Sequence, residues 1–480
     1  MTASHDAREY MLPKQYQVPP GTTVAVGLGV SGMAICRHLQ RLGRRFVVVD
    51  TREAPAGLEV FREQFPTLPL RLGPLDGLDL SAAEEVVLSP GVDPHQMPFS
   101  ALFNERHSQT GEPRLIGEIA LFRRACHGRI AAITGANAKS TVTTLVGEMA
   151  HEAGVRVAIG GNLGTAALDL LAGDSQAELF VLELSSFQIE TTPWLAADSA
   201  AFLNLSEDHL DRHGDMSGYR RAKQGIFRGA RQVVFNADDT MTWPETQPPV
   251  QARFTLEAPQ AESDDWGVVE HQGEAWFARG NRVLFPVSAM RLKGRHHQAN
   301  ALAAMAMADQ LRLPVTAMRT VLERFGGLPH RSELVAELDG VAWINDSKGT
   351  NVGATLAAIE GLGPTLGGRL VLLAGGVGKG ADFRPLAEPL ARYAREAILF
   401  GADADKLEAA WTGKVDITRV ADLDAAMARA REITRNGDAV LLSPACASLD
   451  QFANYLARGE AFRAWVERHA GRPISDKESS

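Results

Sequence analysis

The sequence predicts an α/β protein of three domains, each formed around a mostly parallel sheet. Short runs rich in Val, Ile and Leu end in Gly, Asp or Ser, and each is followed by a stretch with helical periodicity. Continuously apolar strands that alternate with helices are typical of parallel sheets covered on both faces. The length of 480 residues also fits three domains, at roughly 100–200 residues per domain.

The apolar runs fall into three groups along the chain. The predicted strands lie at 23–29, 45–50 and 84–91 in the first group, at 129–135, 179–186, 200–206 and 232–239 in the second, and at 341–347, 369–376, 396–401 and 439–445 in the third. Ligands of such sheets bind beyond the carboxyl ends of the strands. We therefore look for functional residues at the end of each run.

Two features separate the groups. A charged helical stretch near 117–128 follows the first group, and GGLPHR at 326–331 precedes the third. The segment 243–290 has short alternating runs and is predicted to add an antiparallel piece to the second domain. The predicted organisation is a flexible extension at 1–20 and domains at 21–117, 118–326 and 327–480.

Composition and charge argue against several classes of protein. A net charge of −9 and a pI near 5.9 do not fit a broad nucleic-acid or membrane surface. No apolar run approaches the roughly 18 residues of a membrane helix, and the N-terminus lacks the apolar core of a signal peptide. The three cysteines are far apart and lack metal-binding spacing. We expect a cytosolic protein that inserts in no membrane and binds no nucleic acid.

The first glycine motif is GLGVSG, which follows the first predicted strand. Gly27, Gly29 and Gly32 have the dinucleotide-binding spacing, and Asp50 ends the next strand. The motif indicates that a phosphate-bearing ligand approaches the backbone. Taken alone, it leaves an NAD(P) oxidoreductase open.

A second loop, TGANAKST at 134–141, joins a predicted strand to a predicted helix. A phosphate-binding loop needs backbone N–H groups, a lysine and a hydroxyl that binds Mg²⁺, and Lys139 and Ser140 supply the last two. The generic pattern is not met, because Ala138 occupies the position of its second glycine. A helix N-terminus with hydroxyl caps is the alternative interpretation.

Three further side chains follow strands of the second group. Glu183 ends the strand in ELSSFQ, His209 follows another strand in NLSEDHLDRHG, and Lys223 lies in the next helix. Because parallel strands bring their carboxyl ends together, Glu183 and His209 can converge on Mg²⁺ bound to a nucleotide. Each of the three alone also fits an ordinary structural role.

The third group ends in two segments that combine lysine with small residues and an aspartate. They are INDSKGTNV at 344–352 and AGGVGKGADF at 374–383. Their repetition at strand ends predicts a shared anion-binding cleft.

Together these motifs resemble the Mur ligase family. GANAKS, ELSSFQ, N-x-S-x-DH-x-DRH, GLPHR-x-E, NDSK-x-TN and LSPACASLDQF-x-NY-x-x-RG occur in the order of that family and span about 24–463. The resemblance implies a Rossmann-like UDP-binding domain, a central P-loop ATPase-like domain and a Rossmann-like C-terminal domain. It implies ATP-dependent ligation of D-glutamate to UDP-N-acetylmuramoyl-L-alanine through an acyl phosphate, in peptidoglycan precursor synthesis, by a monomer.

The resemblance also implies roles for individual residues. The UDP-substrate contacts would be Val30, Ser31, Asp50, Thr51, Arg52, Ser89 and Asn162. The ATP contacts would be Gly135, Asn137, Lys139, Ser140, Thr141, Asn300, Arg331 and Asp346. The glutamate contacts would be Lys348, Thr350, Lys379, Ser448, Leu449 and Tyr455. Lys139, Glu183, His209 and Lys223 would be catalytic.

The implied cofactors are ATP and two Mg²⁺ ions, held by Ser140, Glu183, His209 and Lys223, with Lys223 carried as a carbamate. His209 is the nearest candidate base for the incoming amine, and a metal-binding or orienting role is equally open. The chain departs from the family pattern at Ala136, Ala138, His297, Val377 and Tyr455.

Three alternatives remain at this point. One is a relative that adds L-glutamate or another amino acid to a UDP-muramoyl substrate. The NAD(P) oxidoreductase is a second, although it leaves Lys139, Lys348 and Lys379 without a role. A third is an inactive homologue that only binds ligands.

Overall fold

The computed structural model describes residues 11–107, 110–174, 176–246 and 250–470. Within these residues the chain forms four sheets, three of them large and each covered by helices. The α/β fold class predicted from the sequence is confirmed. No helix of the described residues is long and apolar enough to cross a membrane.

The first large sheet has five parallel strands in the order β4-β3-β2-β6-β7, and a separate two-stranded sheet pairs β1 with β5. The strands are β1 (Tyr16–Gln17), β2 (Thr23–Val26), β3 (Phe46–Asp50), β4 (Leu70–Leu72), β5 (Leu78–Asp79), β6 (Glu85–Leu88) and β7 (Leu115–Gly117). The helices are α1 (Val30–Arg41), α2 (Leu58–Gln64) and α3 (Glu118–Ala125).

The second large sheet has nine strands in the order β16-β15-β14-β13-β12-β11-β8-β10-β9. The strands are β8 (Arg129–Thr134), β9 (Val157–Gly161), β10 (Leu179–Glu183), β11 (Ser199–Phe202), β12 (Val233–Asn236), β13 (Gln251–Phe254), β14 (Trp266–His271), β15 (Glu274–Arg279) and β16 (Arg282–Pro286). The helices are α4 (Lys139–Glu152), α5 (Ala167–Gly173), α6 (Ser186–Glu190), α7 (Leu210–His213), α8 (Met216–Gln224), α9 (Arg295–Gln310) and α10 (Val315–Arg324). As the alternating runs of 243–290 predict, β14, β15 and β16 pair antiparallel at one edge.

The third large sheet has six strands in the order β17-β18-β22-β19-β20-β21, parallel except for the edge pair β17-β18. The strands are β17 (Glu333–Leu338), β18 (Val341–Asn345), β19 (Leu370–Gly375), β20 (Ala394–Phe400), β21 (Asp416–Arg419) and β22 (Ala439–Leu442). The helices are α11 (Val352–Leu362), α12 (Ala387–Tyr393), α13 (Ala404–Trp411), α14 (Leu423–Ile433) and α15 (Tyr455–His469). Short 3₁₀ helices lie at Phe99–Ala101, Gly225–Phe227, Thr240–Thr242, Val287–Ala289, Gly363–Thr365 and Arg384–Leu386.

Residues 11–20 differ from the flexible extension predicted for 1–20. Strand β1 pairs with β5, Met11 bridges Leu70, and the Val18 side chain is fully buried. The apolar side chain and the backbone partners explain the order of this segment, because both are removed from water by docking. Residues 1–10 lie outside the described residues.

The first two sheets share a hydrophobic core. One continuous cluster joins Phe61 and Ile119 to Phe180 and Leu182 of β10, and α1 packs on α5. The third sheet has separate apolar clusters on its two faces. The first two sheets are therefore joined by apolar packing, whereas polar contacts link the third sheet to the second, as described next.

Candidate active site

The loop after β8 has the geometry of a phosphate-binding loop. A Cβ atom at Gly135 would lie 3.1 Å from the Asn137 carbonyl oxygen and 3.2 Å from the Leu203 Cβ, so the turn has little room for a side chain. Ala138 adopts the left-handed conformation, with φ of 65°, and α4 begins at Lys139. The Lys139 Nζ donates to the carbonyl oxygens of Gly135 and Ala136 at 2.9 and 2.8 Å, which places its charge inside the loop.

Ala138 is strained in this position. A left-handed conformation costs a non-glycine residue roughly 1–2 kcal/mol. The methyl side chain nevertheless packs against the central core, and the loop keeps its shape. Alanine in place of the usual glycine at position 138 therefore raises the conformational energy of the turn but does not change its conformation.

Glu183 lies at the end of β10, beside the first turn of α4. Its Oε2 accepts a hydrogen bond from the Ser140 Oγ at 2.5 Å, and its Oε1 accepts one from the Asn162 Nδ2 at 2.7 Å. Burial opposes ionisation of this carboxyl, but the Lys139 charge and the two hydrogen bonds outweigh it, so the pKa of Glu183 is lowered. A buried anion thus lies directly beside the hydroxyl predicted to bind Mg²⁺.

Asp208 and His209 follow β11 in a loop that faces the third sheet. The His209 Nε2 lies 3.6 Å from the Asp208 Oδ2, and the imidazole packs edge-on against the Phe187 ring at 4.9 Å. Burial and neighbouring lysine charges lower the pKa of His209 to about 4. The imidazole is therefore neutral at neutral pH.

Lys223 is fully buried, although it lies on the polar helix α8. Its Nζ donates to the Gly135 carbonyl oxygen at 2.8 Å and to the Thr134 Oγ1 at 3.3 Å. Burial and the Lys139 charge lower the pKa of Lys223 well below its ordinary value. The structure thus brings Lys223 to the base of the phosphate loop, which is far from the surface position of an ordinary helix lysine.

Residues of the third sheet reach across to the phosphate loop. The Arg331 Nη2 donates to the Ser140 Oγ at 2.6 Å, and the Asn351 Nδ2 donates to the Asn137 Oδ1 at 3.2 Å. Asp346 is buried and accepts hydrogen bonds from the Ser332 N–H and the Ser443 Oγ; burial raises its pKa to about 6. Arg331 therefore lies beside Ser140, and Asn351 beside Asn137, so part of the predicted ATP site is formed by residues of both domains.

The predicted glutamate contacts lie on three neighbouring loops of the third sheet. The Lys348 Nζ lies 3.8 Å from the centre of the Tyr455 ring, and burial lowers the pKa of Lys348 to about 8. The Lys379 Nζ lies 3.5 Å from the Asp208 Oδ1. Thr350 follows the Lys348 turn, Ser448 is buried, and Leu449 is exposed.

A buried arginine holds these three loops together. The Arg458 guanidinium of α15 donates to the Ser347 Oγ and carbonyl oxygen, to the Cys446 carbonyl oxygen and to the Gly375 carbonyl oxygen. Every one of these acceptors is neutral. Ser347 precedes Lys348, Gly375 precedes the Lys379 loop, and Cys446 precedes Ser448, so one side chain fixes the spacing of the lysines and the serine.

The glycine motif of the first domain forms a tight turn after β2. A Cβ atom at Gly32 would lie 1.7 Å from the Gly27 carbonyl oxygen, and one at Gly27 would lie 2.8 Å from the Ser89 Oγ. The Ser89 Oγ is buried with no hydrogen-bond partner among the described residues. The Asp50 carboxylate accepts from the Leu28 N–H and from Arg52.

The remaining predicted contacts have different surroundings. Val30 and Thr51 are exposed at the mouth of this turn, and Ser31 is half-buried in the first turn of α1. Thr141 lies buried in the first turn of α4, and Asn300 lies in the first half of α9. The described residues contain no cluster of three or more His, Cys, Asp or Glu side chains that could hold a metal ion.

Sequence reasoning missed three residues of this site: Asp208, Asn351 and Arg458. Asp208 directly precedes His209, and Asn351 directly follows Thr350, so both lie inside motifs that were already recognised. Arg458 is the arginine of the NY-x-x-RG motif. Position in the motif was the available signal, but the partners of all three belong to distant segments.

Comparison with known protein families matches three segments of the chain. Residues 21–108 match the Mur ligase MurD-like N-terminal domain, residues 133–308 the Mur ligase middle domain, and residues 330–446 the Mur ligase glutamate ligase domain. The order of these domains is the order of the three large sheets.

Two curated proteins that are similar to this chain have the same name. A UDP-N-acetylmuramoylalanine–D-glutamate ligase of Chromohalobacter salexigens is 63% identical over 94% of this chain and 98% of its own length. The enzyme of the same name from Pseudomonas aeruginosa is 50% identical over 93% of this chain and 98% of its own length.

Solved structures support the fold. A pseudomurein peptide ligase type C from Methanothermus fervidus has a TM-score of 0.57 at 16% identity, over 93% of this chain and 99% of that protein. UDP-N-acetylmuramate-alanine ligase from Thermotoga maritima also has a TM-score of 0.57 at 16% identity, over 93% of this chain and 98% of that protein.

Proposed function

Because the chain belongs to the Mur ligase family, we propose that it ligates D-glutamate to UDP-N-acetylmuramoyl-L-alanine with hydrolysis of ATP to ADP and phosphate. The product is a precursor of peptidoglycan. Nearly full-length relatives at 63% and 50% identity carry this name, and the three matched domains are those of such a ligase. The names of these relatives do not favour an NAD(P) oxidoreductase.

The main support for this function is that a phosphate-binding loop of the second domain lies beside lysine-containing loops of the third domain. The phosphate loop with Lys139 and Ser140 faces the loops with Lys348 and Lys379, and Arg331 and Asn351 bridge the gap. A ligase that activates a carboxylate with ATP needs a triphosphate site beside a site for a dianionic amino acid. The two lysines with the hydroxyls of Thr350 and Ser448 suit the two carboxylates of glutamate.

The residues of the phosphate loop fit ATP and Mg²⁺. The start of α4 presents backbone N–H groups, and the Lys139 ammonium lies inside the loop. Mg²⁺ takes few protein ligands beside phosphate oxygens and water, so the Ser140 hydroxyl and the Glu183 carboxylate are a sufficient oxygen set. The metal would neutralise charge on the phosphates during transfer. We propose two ions, with His209 beside the second.

The chain's own residues would act in the following order. Lys139 and Arg331 hold the γ-phosphate while the carboxylate of UDP-N-acetylmuramoyl-L-alanine attacks it, which gives an acyl phosphate and ADP. Lys348, Lys379, Thr350 and Ser448 hold glutamate so that its amine faces the activated carbonyl. Glutamate reacts as the neutral amine: its attack breaks the bond between the carbonyl carbon and the phosphate oxygen and forms the amide, and the displaced proton leaves with the released phosphate. The contact between the two domains excludes water, which would otherwise hydrolyse the acyl phosphate.

We propose that Lys223 is carried as a carbamate. Its Nζ lies under the phosphate loop, 2.8 Å from the Gly135 carbonyl oxygen, where an ammonium would repel Mg²⁺. Burial favours the neutral amine, which is the form that reacts with CO₂. The carbamate replaces a cation with two oxygen ligands.

The surroundings of His209 favour an orienting or metal-binding role over that of a general base. Burial and the neighbouring lysines hold its pKa near 4, so the neutral imidazole is too weak a base to take a proton from an ammonium efficiently. The ring is packed against Phe187 and Tyr219. A fixed neutral imidazole can bind metal or orient Asp208.

The first domain would hold the UDP part of the substrate. The tight turn at Gly27 and Gly32 lets a diphosphate approach the start of α1, and Ser89 offers a free hydroxyl. Asn162 would contact the muramoyl side, since it already joins Glu183. We propose domains at 21–117, 118–326 and 327–480, acting as a cytoplasmic monomer, because residues of one chain supply all three substrate sites.

The experiment that tests this function is phosphate release from ATP with UDP-N-acetylmuramoyl-L-alanine and each glutamate enantiomer. We expect turnover with D-glutamate and little with L-glutamate. Equal turnover with both enantiomers, or turnover only with another amino acid, would overturn the proposed substrate. If the glycine motif binds UDP, calorimetry should show no binding of NAD(H) with a micromolar dissociation constant, roughly −8 kcal/mol.

Substitution Lys139→Ala separates ATP chemistry from binding of the UDP substrate. We expect ligation to fall at least about 1,000-fold, because the lysine neutralises phosphate charge in the transition state. The affinity for UDP-N-acetylmuramoyl-L-alanine, measured by calorimetry, should change less than about threefold, since that ligand lies in the first domain. A parallel loss of both would contradict the assignment of Lys139.

A further inference from the structure

Asp208 lies between the phosphate loop and the glutamate loops. It follows β11 of the central sheet, its side chain is only 12% exposed, and its Oδ1 is 3.5 Å from the Lys379 Nζ of the third sheet. Its charge also acts on Lys139, Lys223 and Lys348. The carboxylate is therefore placed where the incoming amino acid meets the activated substrate.

The hydrogen bonds that this carboxylate accepts are incomplete. The His209 N–H donates to Oδ1 at 2.9 Å, which is a good hydrogen bond. The other neighbours are more distant: the Asn351 Nδ2 at 3.3 Å, the Lys379 Nζ at 3.5 Å and the His209 Nε2 at 3.6 Å. An ionised carboxylate can accept about four hydrogen bonds, and strong ones are shorter than roughly 3 Å. The Asp208 carboxylate can therefore accept further hydrogen bonds from a group in the cleft.

The pair Asp208–Lys379 matches the head of an amino acid. In an α-amino acid the ammonium nitrogen and the carboxylate carbon are bonded to the same carbon, and standard bond lengths place them about 2.5 Å apart. Asp208 and Lys379 present the two opposite charges side by side, with 3.5 Å between the Lys379 Nζ and the Asp208 Oδ1. Opening this pair allows each member to take the complementary group of the zwitterion.

We propose that Asp208 binds the ammonium group of the incoming glutamate, while Lys379 binds its α-carboxylate. When the amino acid binds, the Asp208–Lys379 ion pair breaks, and two new ion pairs form, one between Asp208 and the ammonium and one between Lys379 and the α-carboxylate. Lys348, which lies against Tyr455, is left for the side-chain carboxylate together with the buried Ser448. This assignment rests on the proposed function, because it takes an α-amino acid as the second substrate.

The proposal explains two features of the site. Glu183, the other carboxylate nearby, is already engaged by Ser140 and Asn162, so it cannot receive the amine. The second feature is that Asp208 and Lys379 come from different domains, so the amino acid binds only when these domains are in contact. Asp208 then holds the nitrogen on the side of the cleft where Lys139 and the activated carboxylate lie.

The test compares D-glutamate with glutarate, which has both carboxylates and lacks the amine. The variants are Asp208→Asn, Asp208→Glu and, as a matched control, Asp211→Asn, which changes an exposed acid three residues further along. The measurements are KM for D-glutamate, the inhibition constant of glutarate against D-glutamate, KM for ATP, and thermal unfolding of each full-length variant.

We expect Asp208→Asn to raise KM for D-glutamate by about 10- to 100-fold, the range of a lost charge-assisted hydrogen bond. The glutarate constant should stay within about threefold of wild type or fall, because Lys379 is released from its partner. Asp208→Glu should recover part of the loss, and Asp211→Asn should resemble wild type in every measurement.

Two results would overturn the proposal. An equal rise for glutarate and D-glutamate means that Asp208 only positions Lys379. An unchanged KM for D-glutamate means that the ammonium binds elsewhere. If wild type instead prefers another amino acid, the proposed substrate fails, and the comparison is repeated with that amino acid and its deamino analogue, so the two failures remain distinguishable.

Discussion

Lys223 illustrates how burial changes the chemistry of a single residue. Its amine is enclosed under the phosphate loop, with the Gly135 carbonyl oxygen at 2.8 Å and the Tyr219 ring centre at 4.8 Å. Sequence alone leaves it as one of several cations on a polar helix. Its enclosure favours the neutral amine, which is the form that can be carbamylated.

We expect Lys223→Ala to lose at least about 100-fold in turnover, because the site loses an oxygen ligand for Mg²⁺. Small carboxylic acids such as acetate should restore part of the activity by filling the vacated position. The control is Arg221→Ala, which removes an exposed cation of the same helix and should be nearly silent. Near-normal turnover of Lys223→Ala in bicarbonate-free buffer would contradict the carbamate.

Lys348 would give the proposed amino-acid site a dependence on pH. Burial lowers its pKa to about 8, and only the charged form attracts a carboxylate. The affinity for a dicarboxylate should therefore be highest below about pH 8 and should fall as the pH rises through that value. Glutarate is the suitable probe, since it has no amine that titrates in the same range.

We expect the inhibition constant of glutarate to be level between pH 6.5 and 7.5 and to rise above about pH 8, by up to tenfold per pH unit. Lys348→Arg should flatten the profile, because a guanidinium stays charged throughout. A wild-type constant that does not change up to pH 9.5 would show that Lys348 does not hold the carboxylate.

At the scale of the element, α15 fixes the loops of the third sheet through one side chain. Asn454 caps the helix by accepting from the Ala457 N–H, and Arg458 follows in its first turn. The guanidinium bonds only carbonyl and hydroxyl oxygens, without a carboxylate partner, and burial lowers its pKa to about 10. The fork geometry of arginine satisfies three separate segments, which a lysine cannot do.

We expect Arg458→Met to lower the free energy of unfolding by about 2–4 kcal/mol, because buried carbonyl oxygens lose their donors. KM for D-glutamate should rise more than KM for ATP, since the three loops carry Lys348, Lys379 and Ser448. Arg468→Met, at an exposed position of the same helix, is the control. Unchanged stability together with an unchanged KM for D-glutamate would contradict this role of Arg458.

The N-caps of two helices, α11 and α6, lie at the candidate active site. Asn351 begins α11 by accepting from the Ala354 N–H, and its amide group also reaches Asn137 and Asp208 of the central domain. Ser185 and Gln188 form a capping box at α6, directly after Glu183. Each cap joins the start of a helix to the active site.

At the scale of the whole molecule, the first two domains share an apolar core, whereas the third contacts the second through polar groups. The contacts described for the second and third sheets are Arg331 with Ser140, Asn351 with Asn137, and Lys379 with Asp208. These contacts are polar and largely buried, and charged groups of the ligands can replace the partners in them. The connection to the third domain passes through Gly326 and Gly327, the latter with φ of 99°.

We expect the third domain to rotate about Gly326 and Gly327 and to close when ATP and the UDP substrate bind. Small-angle scattering should show a smaller radius of gyration with both ligands than with the UDP substrate alone, because the ATP phosphates add partners that hold Arg331 beside Ser140. Identical scattering curves in all states would mean that catalysis does not require closure.

The sequence by itself determined the fold class, the positions of most strands and the main motifs of the candidate site. Buried parallel strands are continuous apolar runs, and this composition is local, so it is visible without any partner. The phosphate loop, Glu183, His209 and the two lysine segments were visible for the same reason. Each depends on a few residue types at the end of a strand.

Only the tertiary structure decided which side chains meet. Asp208, Asn351 and Arg458 acquire their roles from partners 12 to 214 residues away in sequence, as the bonds of Arg458 to Cys446 and of Asn351 to Asn137 show. The same is true of three other features: the docking of residues 11–20 on the first domain, the left-handed conformation of Ala138 and the burial of Lys223. Long-range contacts depend on the packing of whole domains, and packing energy is shared among many residues that are far apart in sequence.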